Sequence, residues 1–389
     1  MNYFHWIAGC ILAMVWFSRL LDAALGMPKV TDISLPAWNR RPAARSPRVT
    51  IIVPARNEEE HIEQSLTQLL QLDYDNYEVI AINDRSTDRT GEAMDRVAST
   101  AAPQARLKVI HVPELPPHWL GKAHAMWTGA TQASGEWLLF TDADVLFRPD
   151  SLTRAIAYAT AERADHVVLF PDFVMYGPGE RMMIAFFQTL FLFGHRPWKV
   201  ADPKTKDFMG VGAFNLIRRE VYQAVGTYQA LRFEVLDDMK LGKVVKNGGY
   251  RQRNVFGRGL LSIRWAKSAM GVVENLTKNM FAVLSFQWWR ALASALGLIF
   301  LNILPFAGVV LAHGWARAPY AIALAAMFGI YVGMSRMSDI PAYYIALHPV
   351  SSVLFVYILL RSMVLTLGRG GVIWRGTFYP LEELRKGMV

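Results

Sequence analysis

The sequence predicts an α/β domain built on a mostly parallel sheet and joined to transmembrane helices. Two observations support this prediction. Between residues 49 and 170, short apolar and β-branched runs alternate with polar stretches of helical length, which is typical of a parallel sheet with helices on both faces. Before and after this region, four apolar stretches are long enough to cross a bilayer.

Each predicted strand is a short apolar run followed by polar residues. The five runs cover residues 49–53, 78–82, 107–111, 137–140 and 166–170. The intervening stretches 58–70 and 88–99 are predicted helices. Because such sheets bind ligands at the carboxyl ends of their strands, we expect the functional site at that edge.

The composition agrees with a soluble-type domain attached to a membrane. The chain has 389 residues, 53% hydrophobic and 19% charged, which is too apolar for an ordinary soluble enzyme and too charged for a membrane bundle alone. The one cysteine, Cys10, excludes an internal disulfide and a cysteine-based zinc site, so cytosolic chemistry is the default. The net charge of +9 is compatible with nucleic acid, but Lys and Arg lie beside apolar segments, which favours anionic lipid headgroups.

Residues 4–25 form the first apolar stretch. A signal peptide is the alternative to a retained anchor, but no basic region precedes the stretch and no clear cleavage site comes before Arg19, so the anchor is favoured. The linker that follows is basic, rich in proline and resistant to regular structure. Its prolines and basic residues are Pro28, Lys29, Pro36, Arg40, Arg41, Pro42, Arg45, Pro47 and Arg48. By the positive-inside rule this side is cytoplasmic and the N-terminus lies outside.

The later apolar stretches cover residues 291–312, 319–334 and 340–367. Pro305, Pro341 and Pro349 are expected to kink or break them, and a partly re-entrant course is one alternative for the last stretch. Residues 182–194 are rich in Phe and too short to span. An interfacial helix that lines the acceptor site and a buried core helix are both open for this segment.

The predicted organisation has five parts. They are an N-terminal anchor at 1–25, a linker at 26–48, a catalytic domain with interfacial helices at 49–287, transmembrane segments at 288–368 and a basic tail at 369–389. We expect a multi-pass protein of the bacterial inner membrane whose catalytic domain faces the cytoplasm. Three crossings after the anchor would place the tail outside, against its positive charge, so its side stays open.

Two carboxylates lie one residue apart just after the fourth predicted strand. Asp142 and Asp144 follow the apolar run and Thr141. Alternate side chains of an extended chain point the same way, so both carboxylates can converge on one divalent cation. Asp-x-Asp is also common in turns, where it caps the backbone, so this pair alone does not decide between the two roles.

Polar residues also end the first two predicted strands. Pro54 and Glu58 follow the first, and Asp84 ends the second. Helix capping is the alternative, with Asn57 and Asp88 as N-caps. Capping does not require Pro54, Glu58 and Asp84 at one edge, where a buried carboxylate can hydrogen-bond the imide of a uracil ring.

Four segments, in this order, resemble the inverting family 2 glycosyltransferases of GT-A fold, whose sheet is Rossmann-like. They are Pro54-Ala-Arg-Asn-Glu58, Asn83-Asp84-Arg-Ser-Thr-Asp88, Gly121-Lys122 and Asp142-Ala-Asp144, and the resemblance covers about residues 49–250. It implies a UDP-sugar site with Pro54 and Glu58 near the uridine, Asp84 at the uracil, Asp142 and Asp144 at the ribose and metal, and Lys122 near the diphosphate. A bound Mg²⁺ or Mn²⁺ would offset the charge of the leaving diphosphate.

An inverting transfer also needs one base that deprotonates the acceptor hydroxyl. The family pattern Glu-Asp-x-x-Leu, whose second acid is the base, resembles Asp237-Asp238-Met-Lys-Leu241. The resemblance makes Asp238 the base and puts Asp237 in place of the usual Glu, one methylene shorter, which leaves its supporting role in doubt. The alternative is a capping pair at the start of a helix that runs through Val245.

Three further segments are predicted to lie on the acceptor side. Gly210 and Gly212 resemble an acceptor-side turn whose glycines let the backbone approach a sugar, and a β-bulge is the alternative. Gln287-Trp-Trp-Arg290-Ala291 resembles the Gln-x-x-Arg-Trp motif of processive synthases and lipid glycosyltransferases, without its last Trp. Trp374-Arg375-Gly376-Thr-Phe-Tyr379 resembles a segment of ceramide, hopanoid and carotenoid glucosyltransferases, and an interfacial belt of Trp, Tyr and Arg is its compatible alternative.

Together these features predict a membrane-bound hexosyltransferase that moves a sugar from a nucleotide donor to a lipid-like acceptor, with inversion. A nucleic-acid partner is not expected. A processive polysaccharide synthase is the nearest alternative, disfavoured by Ala291 and by only three late apolar stretches. A nucleotidyltransferase does not need the Asp237-Asp238 segment, and an inactive membrane scaffold of the same fold would be expected to lose its acids.

Overall fold

The computed structural model describes residues 2–40, 46–100 and 106–387, so the linker residues Arg41, Pro42 and Arg45 lie outside the described residues. Within these ranges the strands, in chain order, are β1 Val49–Ala55, β2 Tyr77–Asp84, β3 Leu107–Val112, β4 Trp137–Phe140, β5 Val145–Phe147, β6 His166–Leu169, β7 Asp172–Phe173, β8 Asn215–Arg218, β9 Gln252–Val255, β10 Leu261–Ile263, β11 Gly371–Trp374 and β12 Thr377–Pro380. The helices are α1 Asn2–Gly26, α2 Ile62–Leu70, α3 Thr90–Thr100, α4 Gly121–Gln132, α5 Ser151–Ala161, α6 Pro178–Gly194, α7 Arg219–Ala224, α8 Thr227–Ala230, α9 Asp237–Asn247, α10 Ala269–Val283, α11 Trp288–Asn302, α12 Leu304–Leu311, α13 Ala318–Ser335, α14 His348–Arg369 and α15 Leu381–Lys386.

Seven strands form one sheet in the order β3-β2-β1-β4-β8-β6-β9. The first four run parallel to one another, and β6 and β9 are also parallel, whereas β8 is antiparallel to both β4 and β6. The predicted α/β fold with a mostly parallel sheet is therefore confirmed. Because β2, β1 and β4 are neighbours in the same direction, their carboxyl ends lie side by side.

Helices cover the faces of the sheet, and this explains the burial pattern of the strands. All seven residues of β1 are buried, as expected for a strand with both faces covered. In α2 one face is buried, at Ile62, Leu66 and Leu69, with the three- and four-residue spacing of an amphipathic helix. The helix begins four residues later than residue 58, where the sequence predicts its start.

The seven-stranded and three-stranded sheets belong to a unit made of Val30–Val174, Lys199–Arg264 and Ile373–Val389. Residues 33–35 of the linker are bonded to this unit. Ile33 is fully buried, and the guanidinium of Arg154 donates to the carbonyl oxygens of Ile33, Ser34 and Leu35 at 2.8–3.0 Å. Arg154 also pairs with Asp150 at 2.6 Å.

A second unit contains Met1–Lys29, Met175–Trp198 and Trp265–Val372 and is helical. Among the described residues, three stretches are long and apolar enough to cross a membrane: Tyr3–Lys29, Gly314–Ser335 and Ala342–Arg369. Helices α11 and α12 meet the same criterion together but bend by 46°, close to Pro305. The break therefore falls in the first of the late stretches, whereas the last stretch is one candidate span.

Helix α6 contains the Phe-rich segment and starts earlier than that segment, at Pro178. Its residues Met183 and Phe186 are buried in an apolar cluster with Val272 and Val273 of α10 and Phe355 of α14. The burial of this face supports the interpretation of the Phe-rich segment as a core helix.

The helical unit also holds a buried polar network. His348 is fully buried, and its ring nitrogens lie 3.0 Å from Asn302 Oδ1 and 2.9 Å from the Tyr331 hydroxyl. These residues come from α14, α11 and α13. Since each polar group has a partner, the network can remain away from water.

Candidate active site

The loops that follow β1 and β2 are bonded to each other. The backbone N–H groups of Asn57 and Glu58 donate to Ser86 Oγ at 3.1 Å and to Thr90 Oγ1 at 2.7 Å, while Asn57 Oδ1 accepts from the backbone of Thr87 at 2.8 Å. Asn57 has a left-handed φ of 54° and lies well before the start of α2, so it does not cap that helix. These bonds hold Glu58 at the edge of the sheet.

Asp84 ends β2 and is almost completely buried, with 3% of its surface exposed. Arg85 donates to both of its carboxylate oxygens, through Nε at 2.7 Å and Nη2 at 3.1 Å. Such a two-point pair is strong and directional. Each carboxylate oxygen of Asp84 has a second lone pair, so the two contacts with Arg85 leave acceptor sites for a nucleotide base. Pro54, the neighbouring predicted residue, is buried inside β1 opposite Ile82.

Three aromatic side chains, two from α4 and one just before it, form a cluster that the sequence analysis does not predict. His124 is buried, and its ring lies 5.5 Å from that of Trp119 and 6.1 Å from that of Trp127. Burial lowers the pKa of His124, with Asp84 opposing the shift and Arg85 adding to it. His124 is thus packed against two indole rings and lies within the electrostatic reach of Asp84 and Arg85.

Lys122 connects the predicted donor acids to the predicted base segment. Its Nζ lies 2.7 Å from Asp142 Oδ1 and 3.7 Å from Asp237 Oδ1. Burial works to lower the pKa of Lys122, but Asp142, Asp237 and Asp238 together raise it well above the usual range. The lysine is therefore charged, and it stabilises a cluster of acids that would otherwise repel one another.

Asp144, two residues after Asp142, is half-buried. Burial, followed by repulsion from Asp142 and Glu58, raises the pKa of Asp144 to about 7. Three carboxylates are thus close enough to influence one another, with one pKa near neutrality. A divalent cation beside Asp142 and Asp144 would offset this repulsion.

The predicted base lies in the first turn of α9. Asp237 is buried, with 4% of its surface exposed, and Asp238 is half-buried. Burial raises the pKa of Asp238 and Asp142 adds to this, while Lys122 and the backbone N–H of Met239, at 2.7 Å, oppose it. A carboxylate with a raised pKa is a better proton acceptor, as a general base requires.

Close backbone packing positions α9. A Cβ on Gly210 would collide with the backbone carbonyl of Asp238, and a Cβ on Gly242, one turn later, would collide with that of Met209. The Gln252 side chain joins the same elements, since it accepts from Met209 N at 2.8 Å and donates to Gly242 O at 3.0 Å. The segment that carries Gly210 is thus the surface on which the base helix rests.

Gly212 has a similar role on the donor side. A Cβ there would meet the carboxylate of Asp142, and the backbone N–H of Asp142 donates to Gly212 O at 3.0 Å. Both glycines predicted for the acceptor side therefore contact the acids, and neither has a left-handed φ.

The C-terminal hairpin of β11 and β12 lies at the same edge. Arg375 contacts the carboxylate of Glu58 and the carbonyl oxygen of Arg56. Tyr379 accepts from the backbone N–H of Gly121 at 3.1 Å, at the start of α4. Arg375 was predicted for the acceptor side, but in the structure it contacts a residue predicted for the donor.

The remaining predicted residues are Trp374, Gln287 and Arg290. Trp374 is the last residue of β11, whereas Gln287 and Arg290 belong to the helical unit. Gln287 precedes α11, and the guanidinium of Arg290 lies 5.2 Å from the ring of Trp289.

Within residues 2–40, 46–100 and 106–387, no group of three or more His, Cys, Asp or Glu side chains is arranged to hold a metal by itself. This is compatible with Mg²⁺ or Mn²⁺ in a nucleotide site, because such ions are held by one or two carboxylates together with substrate phosphates. Asp142 and Asp144 are the carboxylates that fit.

Comparisons with known proteins identify a family domain, a relative and a similar fold. Residues 50–226 match the model of glycosyl transferase family 2. The 4,4'-diaponeurosporenoate glycosyltransferase of Staphylococcus aureus (strain MRSA252) is 22% identical over 387 residues, which covers 95% of this chain and 100% of the relative. Among solved structures, the mannosyltransferase PcManGT from Pyrobaculum calidifontis, in complex with GDP-Man and Mn²⁺, is similar in fold with a TM-score of 0.54 and 21% identity over 93% of this chain and 99% of that one.

Proposed function

Since the chain carries a family 2 glycosyltransferase domain with a GT-A fold, we propose that it transfers a sugar, with inversion, from a nucleotide-sugar donor to a lipid-like acceptor. The observation that carries the proposal is the contact of Lys122 with both Asp142 and Asp237. This contact links the acids that are suited to bind a donor with the segment that carries the proposed base.

Asp84, Glu58, Asp142 and Asp144 lie along the carboxyl edge of β2, β1 and β4, where such sheets bind ligands. We assign this edge to the nucleotide, with a UDP-sugar as the first candidate because a carboxylate such as Asp84 can accept from a uracil imide. Asp142 and Asp144 would hold a divalent cation, which supplies charge compensation for the departing diphosphate.

In the proposed reaction Asp238 accepts the proton of an acceptor hydroxyl. The hydroxyl oxygen bonds to the anomeric carbon as the bond from that carbon to the diphosphate breaks, so the nucleoside diphosphate leaves with the electron pair. Attack on the face opposite the leaving group inverts the configuration. Lys122 and the buried Asp237 keep the base beside the donor acids.

An acceptor drawn from a bilayer accounts for the three apolar stretches of membrane-spanning length. The name of the Staphylococcus aureus relative, which states that it glycosylates 4,4'-diaponeurosporenoate, supports an acceptor of this lipid-like class. We place the catalytic unit on the cytoplasmic side because the linker after α1 is basic.

The test is a transfer assay with the full chain in lipid, a panel of nucleotide sugars, metal and a lipid extract. Release of nucleoside diphosphate and glycolipid product are measured for the wild type, Asp238→Asn and, as a matched surface control, Asp95→Asn. Asp238→Asn is expected to lower turnover by roughly 10²–10⁴-fold, the usual contribution of a general base, with donor binding retained. Unchanged turnover in that variant would exclude Asp238 as the base, and a long product ladder would favour a processive synthase.

A further inference from the structure

We propose that the β11–β12 hairpin is part of the donor site and that Arg375 binds the diphosphate of the nucleotide sugar. This inference rests on the proposed function and adds a binding residue about 150 positions beyond the end of the family match at residue 226.

The hairpin is joined to three of the segments that make up the donor edge. Thr377 Oγ1 accepts from Arg56 Nη1 at 3.0 Å, after β1. Tyr379 accepts from the backbone N–H of Gly121, next to Lys122, and its hydroxyl also interacts with Arg85, the partner of Asp84. The hairpin thus bridges β1, β2 and α4 at their ligand-facing ends.

The turn of the hairpin directs an arginine to this edge. Arg375 and Gly376 are its two central residues, with φ of 47° and 78°, the pattern of a two-residue turn with both central residues left-handed. A left-handed φ is unusual for arginine and marks a position that the surrounding structure must hold. The contacts of the guanidinium with Glu58 and Arg56 O are what hold it.

The chemistry of Arg375 suits a diphosphate. A guanidinium has five N–H donors in a planar fork that matches phosphate oxygens, and its contacts with Glu58 and Arg56 O use only part of that capacity. The side chain is 44% exposed, so its outer edge can meet a ligand. The contact with the Glu58 carboxylate orients the guanidinium of Arg375 when no ligand is bound.

The order of the strands places the proposed metal ligands at the same edge as Arg375. Glu58, which Arg375 contacts, follows β1, and β1 pairs in parallel with β4, the strand that leads to Asp142 and Asp144. A diphosphate held by a cation at Asp142 and Asp144 would therefore lie at the edge where the guanidinium lies. Arginine on one side and a cation on the other would then share the charge of the leaving group.

The test compares nucleotide affinities of the full chain in lipid with Mn²⁺. The affinities for UDP, UMP and GDP are measured for the wild type, Arg375→Gln and Arg375→Lys, with Arg385→Gln as an exposed control in the same C-terminal segment. A lost charge-assisted contact predicts about a 10- to 100-fold weaker UDP affinity in Arg375→Gln, with UMP affinity changed much less. Arg375→Lys keeps the charge but not the fork, so an intermediate loss is expected.

The outcomes separate the inference from the function on which it rests. Wild-type protein that binds neither UDP nor GDP would overturn both. Wild-type binding that is unchanged in Arg375→Gln would overturn the inference alone, as would an equal loss of UDP and UMP, which indicates a structural role. If Arg375→Gln does not fold, Arg375→Lys decides, because wild-type UDP affinity in that variant would contradict a bidentate phosphate contact.

Discussion

Replacing Gly210 by alanine would put a methyl group where the backbone carbonyl of Asp238 now lies. Neither side can yield by rotating a side chain, because both partners are backbone. The base helix is also held one turn later, where Gly242 meets the carbonyl of Met209. The added methyl group must therefore displace the first turn of α9 from the segment beneath it.

The size of the displacement sets the expected loss. The new Cβ would fall well inside contact distance, so relief needs a shift of roughly 1 Å. A misplacement of about 1 Å in a catalytic group can cost on the order of 10²-fold in rate, equivalent to about 2.7 kcal/mol in activation free energy. Donor binding depends on other strand ends and is expected to change less than about threefold.

The assay is single-turnover transfer at saturating donor, combined with UDP affinity, for the wild type and Gly210→Ala. Gly297→Ala is the matched control, because a Cβ at Gly297 meets nothing within 4 Å. A variant that folds, binds UDP and turns over at the wild-type rate would refute the proposal that this contact positions the base.

Two further predictions concern the metal and the stability of the linker. Removal of divalent metal by a chelator should abolish transfer, and added Mn²⁺ or Mg²⁺ should restore it. The Asp144→Asn variant should need a roughly tenfold higher metal concentration for the same activity. Full activity in the presence of the chelator would contradict the assigned metal ligands. Arg154→Met should lower the free energy of unfolding by about 3 kcal/mol because it removes the more buried of the two arginine partners of Asp150 and the donor to three linker carbonyls. Arg148→Met removes a more exposed partner of the same Asp150 and should cost less than about 1 kcal/mol in urea denaturation, so equal losses would contradict the structural role of Arg154.

The order of strands and acids was accessible from the sequence because it depends on local patterns. Short apolar runs ending in Glu58, Asp84 and Asp142 predict strand ends, and in a parallel sheet strand ends share an edge. The start of α2 was predicted too early, since Asn57 and Glu58 bond to the loop after β2 rather than to their own helix.

Contacts between distant segments were not accessible in this way. The pair of Arg375 and Glu58 joins residues 317 positions apart, and no local periodicity reports such a contact. Arg85 and Tyr379 stood inside segments that resembled the family, but only the structure gives them partners. The glycines at 210 and 212 signalled a close approach, but the approaching groups, the Asp238 carbonyl and the Asp142 carboxylate, became visible only in three dimensions.

The network of His348, Asn302 and Tyr331 has a consequence for how the protein is made. In hydrocarbon each of these polar groups is costly until its partner arrives, and the three residues come from different helices. If the helical unit lies in a bilayer, Asn302 of α11 lacks its partner when α11 is made, because His348 is 46 residues further along the chain. We therefore expect α11 to pack stably only after α14 has been made.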